Sequence, residues 1–152
     1  QETAGRMSRA EAQAAALAAV RALRYDTNEY FWINDMHPRM VMHPFRPDLE
    51  GLDLSAHKDP NGKHLFVDFV TTVKAEKQGF VPYQWPKPGA SAPVDKISYV
   101  KGFGPWGWIV GSGVYADDTA AKVYDAVIAT APGVAAIVLA IAGTRTPVGR
   151  AA

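Results

Sequence analysis

The chain has 152 residues, 48% hydrophobic and 20% charged, which suits one domain with a sizeable core and is too short for two ordinary ones. With 16 basic and 15 acidic residues the formal net charge is +1, and no basic block is present, so nucleic acid is not an expected partner. The absence of cysteine removes disulfides, thiolate metal sites, covalent haem attachment and cysteine nucleophiles.

Residues 3–24 are alanine-rich, with Met7, Ala10, Ala14, Leu17, Val20 and Leu23 recurring at steps of three and four. That spacing predicts an amphipathic helix whose narrow, small-sided stripe suits close packing on a sheet or on a second copy. The chain opens on Gln1 without a basic, apolar leader, which reads as a processed or truncated piece.

The stretch NEYFWINDMHPRMVMHP at 28–44 predicts two short strands between Glu29 and Pro44, broken by a turn at Asn34–Pro38. Regular alternation in the second strand puts Arg39, Val41 and His43 on one face and Met40 and Met42 on the other. The methionines suit the side that meets the helix, leaving Arg39 and His43 toward the opposite side. Arg39 could equally be exposed, or paired with Asp35 or Asp48.

Pro44, Pro47, Gly51 and Pro60 then predict an irregular segment wrapping over the sheet, with a type I turn at DPNG, 59–62. Phe66, Phe69, Val70 and Val73 suit a helix face, and Lys74, Lys77 and Gly79 a helix stop. The alternation Leu65, Val67, Phe69 would suit a strand instead. Three strands follow, near Phe80–Trp85, Lys96–Phe103 and Trp106–Val114, with GFGPWG as the turn between the last two. Asp117 and Asp118 mark the start of a closing helix. The order predicts an α+β chain built on one antiparallel sheet.

From Ala126 to Gly143 the chain runs 18 residues without a charge, the minimum for a membrane span, although Pro132-Gly133 interrupts it. A buried or disordered terminus is the alternative. If it spans, Arg145 and Arg150 put the following tail in the cytoplasm and the preceding domain outside.

The four histidines, His37, His43, His57 and His64, lack the spacing of a zinc site, so neither a metal nor a cofactor is expected. GSG at 111–113 lacks the flanks of a nucleophile elbow and reads as close packing within a strand. Lys96 and Ser98 share one face of their strand, and Tyr99 points to the other. A cavity walled by aromatic rings and supplied with Arg, His, Lys and Tyr donors is short of acceptors, and so suits a small anion. Two other classes compete: a module whose aromatic pocket recognises a partner protein, and a small-molecule enzyme using His37 or His43.

Four blocks carry a resemblance: YFWINDMHPRMVMHPFRPDLEGLDLS, KDPNGKHLFVDFV, GFVPYQWPKPG and DKISYVKGFGPWGWIVGSGVYADD. Together, over residues 25–118 and in order, they resemble the single Cache domains of type 2, sensor modules of bacterial chemoreceptors and sensor histidine kinases. The resemblance implies a long N-terminal helix, residues 1–27, on one face of a PAS-like five-stranded antiparallel sheet, with the ligand pocket on the other face. It implies a sensor core at 28–125, strengthens 126–143 as a membrane segment, and leaves 144–152 as a tail. It further implies a non-enzymatic domain, periplasmic or extracellular, held at the bacterial inner or plasma membrane by flanking helices. Such a domain senses two- to four-carbon carboxylates such as acetate, propionate, lactate or pyruvate, and a homodimer through the N-terminal helices is plausible. By similarity Arg39 and Lys96 would hold the carboxylate and His43 and Tyr99 would add hydrogen bonds. Tyr30, Trp32 and Trp85 would form the apolar wall, with Tyr83 and His37 also lining the pocket.

Overall fold

The computed structural model describes residues 7–26 and 28–119. Helix α1 (Arg9–Ala22) begins at a capping box: the Ser8 hydroxyl accepts from the Glu11 N–H, and the Glu11 carboxylate accepts from the Ser8 N–H. It ends at Leu23, whose backbone is extended and whose side chain is half exposed. The helix is therefore shorter than the predicted 3–24, and Arg24–Tyr25 form a two-residue strand, β1.

The remaining elements are β2 (Glu29–Asp35), β3 (Met40–Met42), α2 (Leu65–Glu76), β4 (Gln78–Pro86), β5 (Pro93–Phe103) and β6 (Trp108–Tyr115). All paired strands are antiparallel, in the order β1-β2-β6-β5-β4, with β3 sharing the outer edge of β2 with β1. The sheet thus has six strands where five are predicted. The extra one is β1, too short to show a hydrophobic period.

The sheet has two differently filled faces. On one, Ile33, Met42 and Trp108 pack against Ala16, Leu17 and Val20 of α1. On the other, α2 lays Phe66, Phe69, Val70 and Val73 over Tyr30, Trp32, Tyr83, Trp85 and Val100. The helical reading of this segment is therefore correct. Its stop differs in detail, because Lys77 takes the left-handed conformation at φ 66°, while Gly79 makes room for the Thr72 methyl. Helix α1 does not cover its whole face: Phe80, Ile97, Tyr99 and Phe103 stay exposed on strands β4 and β5.

The pairing of β2 with β3 contains a bulge. Asn34 faces Met40 and Ile33 faces Met42, so Val41 is an extra residue. Met40 consequently packs on the α2 side and Met42 on the α1 side, which corrects the expectation that both methionines face the same helix. Regular alternation fails at Val41 and resumes at Met42, so His43 is returned to the α2 side, where its ring meets Tyr30 and Trp85.

The wrapped segment is pinned by Asp59. Its carboxylate accepts the backbone N–H groups of Asn61 and Lys63 in its own turn and of Gln84 in β4. The turn itself closes through Gly62 N–H to the Asp59 carbonyl, with Gly62 at φ 80°. No helix among the described residues is long and apolar enough to cross a membrane. Residues 116–119 are helical, and the rest of the predicted closing helix, the apolar run 126–143 and the tail lie outside the described residues.

Candidate functional site

Strand register creates a concave floor on the α2 side. Tyr83, Lys96 and Tyr115 lie side by side across β4, β5 and β6, and in the next row Ser98 sits between Val81 and Gly113. Trp32 lies opposite Gly111, and a Cβ at that glycine would strike the indole ring. Small residues along the middle of the sheet therefore let large rings from the edges fold inward. Phe66 and Phe69 roof the space from α2.

Lys96 is 2% exposed. Its ammonium donates to the Tyr30 hydroxyl at 3.0 Å and the Tyr115 hydroxyl at 3.4 Å. It also lies 4.2 Å from the Tyr30 ring centroid, 4.5 Å from that of Tyr115 and 5.5 Å from that of Trp32. Its hydrogen bonds thus go to phenols and not to a carboxylate. Burial pushes its pKa from 10.5 down to about 7, and the charge of Glu29 opposes that shift only in part. Burial raises Tyr30 to about 12 and also lifts Tyr83 and Tyr115, so all three phenols stay protonated at neutral pH. The Tyr115 hydroxyl donates to the Pro86 carbonyl at 2.8 Å, and the Tyr83 hydroxyl meets Ser98 Oγ at 2.8 Å.

His43 follows β3. Its Nδ1 accepts the backbone N–H groups of Phe45 at 3.2 Å and Arg46 at 3.1 Å, which fixes the tautomer with the proton on Nε2. Burial, reinforced by the positive charges of Lys96 and Arg46, drives its pKa down to about 3. The imidazole is therefore a neutral donor. Its ring lies 4.9 Å from Tyr30 and 5.8 Å from Trp85, centroid to centroid.

Tyr30, Trp32, His43, Leu65, Phe66, Phe69, Tyr83 and Trp85 enclose a small cavity with about 10 Å³ of room for the centre of a water-sized sphere, about enough for one water. Lys96 backs two of these walls, the rings of Tyr30 and Trp32. An open cleft of about 310 Å³ adjoins it, sharing Tyr30, His43 and Trp85 and adding Phe45, Arg46 and the segment from Pro86 to Ser91. The Arg46 guanidinium lies 5.8 Å from the Trp85 ring centroid and grips Asp48 with two parallel bonds, at 2.9 and 2.7 Å.

Of the residues expected at the pocket, Tyr30, Trp32, His43, Tyr83, Trp85 and Lys96 come together. Arg39, His37 and Tyr99 do not, and this is a correction. Arg39 and His37 are exposed and give their backbone N–H groups to the Asp35 carboxylate, which builds the turn before the bulge. Arg39 also bridges Asp53 through its backbone. Tyr99 occupies the opposite parity of β5 to Lys96, so it faces away and packs its ring on Phe80 at 5.0 Å. The arginine beside the rings is Arg46, and Tyr115, Ser98 and Phe66 also belong to the cluster. Tyr115 was discoverable, because it continues the two-residue step of Gly111 and Gly113. Arg46 was not, because a proline-bounded loop has no period.

The profile of the family described as Single Cache domain 2 matches residues 1–129. The methyl-accepting chemotaxis protein McpP of Pseudomonas putida is 55% identical over 121 residues, covering 80% of this chain and 22% of that protein. The sensor histidine kinase MctS of Rhizobium johnstonii is 35% identical over 108 residues, covering 69% of this chain and 23% of its own. The chain thus spans under a quarter of the length of these relatives. A solved periplasmic sensor domain of a chemotaxis protein superimposes with a TM-score of 0.75 at 60% identity, over 76% of this chain and 80% of that one. A Cache chemosensory domain solved for its carboxylic acid recognition also gives 0.75, at 56% identity, over 76% and 78%.

Proposed function

The chain belongs to the Single Cache domain 2 family, and from that premise we propose that the cluster around Lys96 binds a two- to four-carbon monocarboxylate such as acetate, propionate, lactate or pyruvate. Like the chemoreceptor sensor domains it matches, it is a sensor domain and not an enzyme. The observation that carries the ligand class is the buried Lys96 ammonium, hydrogen-bonded to two phenols. A carboxylate would add a countercharge in direct contact with the ammonium, whose hydrogen bonds go to phenols, and each charge-assisted bond contributes about 1.5–3 kcal/mol.

In this reading Lys96, the Tyr30 hydroxyl and His43 Nε2–H hold the carboxylate, while Trp32, Tyr83 and Trp85 enclose the short carbon chain. Arg39, His37 and Tyr99 are left out of the ligand set. The cavity is nearly full, so the ligand enters from the Arg46 cleft by displacing the rings between cleft and cavity, which limits its size. The whole protein is a bacterial chemoreceptor or histidine kinase, with this domain periplasmic or extracellular. Flanking helices, the second at 126–143, hold it to the inner or plasma membrane, and N-terminal helices pair two copies.

A thermal-shift series on the chain with short carboxylates, amino acids, amines and phosphate tests the ligand class. A carboxylate at 100 times its dissociation constant should add about 2.7 kcal/mol, a rise of several degrees. Arg39→Ala should respond within twofold of the parent. A flat response to every acid would sink the carboxylate reading and turn attention to the exposed Phe80–Tyr99 strip as a protein contact.

A further inference from the structure

Glu50 stands between the candidate pocket and the first helix. Its Oε1 accepts the His43 backbone N–H at 2.9 Å. The same oxygen, together with Oε2, accepts from one Arg21 nitrogen at 2.7 and 2.9 Å. Arg21 occupies the last turn of α1. On the other side of the same residue, the His43 ring meets Tyr30 and Trp85 and its Nδ1 holds the loop N–H groups of Phe45 and Arg46. One carboxylate therefore joins the end of a helix to the backbone of a pocket residue.

The rest of the attachment of α1 is thin. None of its residues is fully buried, and its apolar contact with the cluster of Ile33, Met42 and Trp108 is made by Ala16, Leu17 and Val20. The apolar contact gives the helix little positional definition, because small side chains can slide on a surface. The Arg21–Glu50 pair is directional and partly shielded, with 26% of the Glu50 side chain exposed. It fixes where the helix ends relative to His43.

We propose that Glu50 is a positioning residue for His43, and that through Arg21 it couples occupancy of the pocket to the placement of α1. The coupling rests on the carboxylate reading of the site. A ligand that draws His43 toward Lys96 tightens or loosens the His43–Glu50 bond, and Glu50 transmits the change to Arg21. Coupling of this kind is reciprocal: whatever alters the helix end must alter ligand affinity by the same factor.

Amide hydrogen exchange on the full chain tests this, with sodium propionate as probe. Without ligand, Arg21→Ala should speed exchange of the His43 amide at least threefold more than Val20→Ala, which loosens α1 without touching Glu50. With propionate, exchange at residues 20–23 should slow in the parent chain and not in Arg21→Ala. The propionate affinity of that variant should shift at least threefold, and Arg21→Lys should restore both responses. If Val20→Ala moves the His43 amide as far as Arg21→Ala does, the pair is merely structural and the proposal falls. If the parent chain ignores propionate and the other short acids, the carboxylate reading falls. The tie between helix and His43 is then decided by the ligand-free comparison alone, which supports it at threefold and rejects it below.

Discussion

Lys96→Met should weaken propionate binding by between about tenfold and about a hundredfold, the loss of a charge-assisted bond, while leaving the ligand-free domain no less stable. The two effects have opposite origins. The ammonium is desolvated among rings and hydrogen-bonded to phenols, which is a cost to folding. Bound carboxylate turns that cost into the main attraction. The pH dependence follows from the sign of the shift. The folded pKa, about 7, lies below the ordinary value of 10.5, so between these values the unfolded chain binds more protons than the folded one. Stability therefore rises with pH across that window, and the penalty is full below about pH 7. Urea unfolding at pH 6 and pH 9 should show the parent gaining on Lys96→Met at the higher pH. Equal gains would mean that the ammonium is not desolvated. Propionate affinity should fall as pH climbs above about 7, by at most tenfold per unit, with proton uptake on binding that vanishes in the variant.

Gly113→Ala should be the most damaging single methyl in the sheet, at about 3 kcal/mol, the upper end for overpacking. The added Cβ would overlap the Ile97 carbonyl and the Ser98 Cα and Oγ. Two of these atoms are backbone of the adjoining strand and cannot rotate away. The melting point should fall by on the order of 10 °C in a domain of this size. Gly111→Ala makes a useful contrast, because there the three atoms nearest the new methyl all belong to the Trp32 ring. The indole can tilt into the cavity, so the fold should survive with a smaller loss while propionate binding disappears. A Gly111→Ala variant with parental affinity would show that Trp32 does not wall the ligand site.

Much of the fold was legible because each long element has one period and two different faces. Strands β4 and β5 alternate cleanly, and α2 repeats at three and four residues with its core side intact. Two features escaped for a shared reason: neither leaves a periodic trace. Strand β1 is two residues long, and the bulge at Val41 adds a single residue inside a strand of three. The bulge misled the site assignment as well. Strict alternation grouped Arg39 with His43, whereas the turn fastened by Asp35 leaves Arg39 exposed. Lys96 was legible from the family resemblance, since alternation alone puts it on one face with Ser98 without saying which face is buried. Arg46 was missed because its position depends on the His43 ring capping the next two amides, a tertiary accident of one rotamer.

Val41 has a consequence for how this segment can change over evolutionary time. The imidazole lies among the rings because Met42, one residue before it, is paired with Ile33 and faces the first helix. Loss of Val41 alone would leave Asn34 opposite Met40 and Ile33 opposite Met42 in a regular ladder, whereas one residue added between Met42 and His43 would turn the imidazole to the wrong side with its chemistry intact, as a one-residue slip does in any sheet. The segment is then able to shed its one extra residue more safely than it can gain another. A stretch only three residues long is thereby open to shortening at one position and closed to lengthening after it.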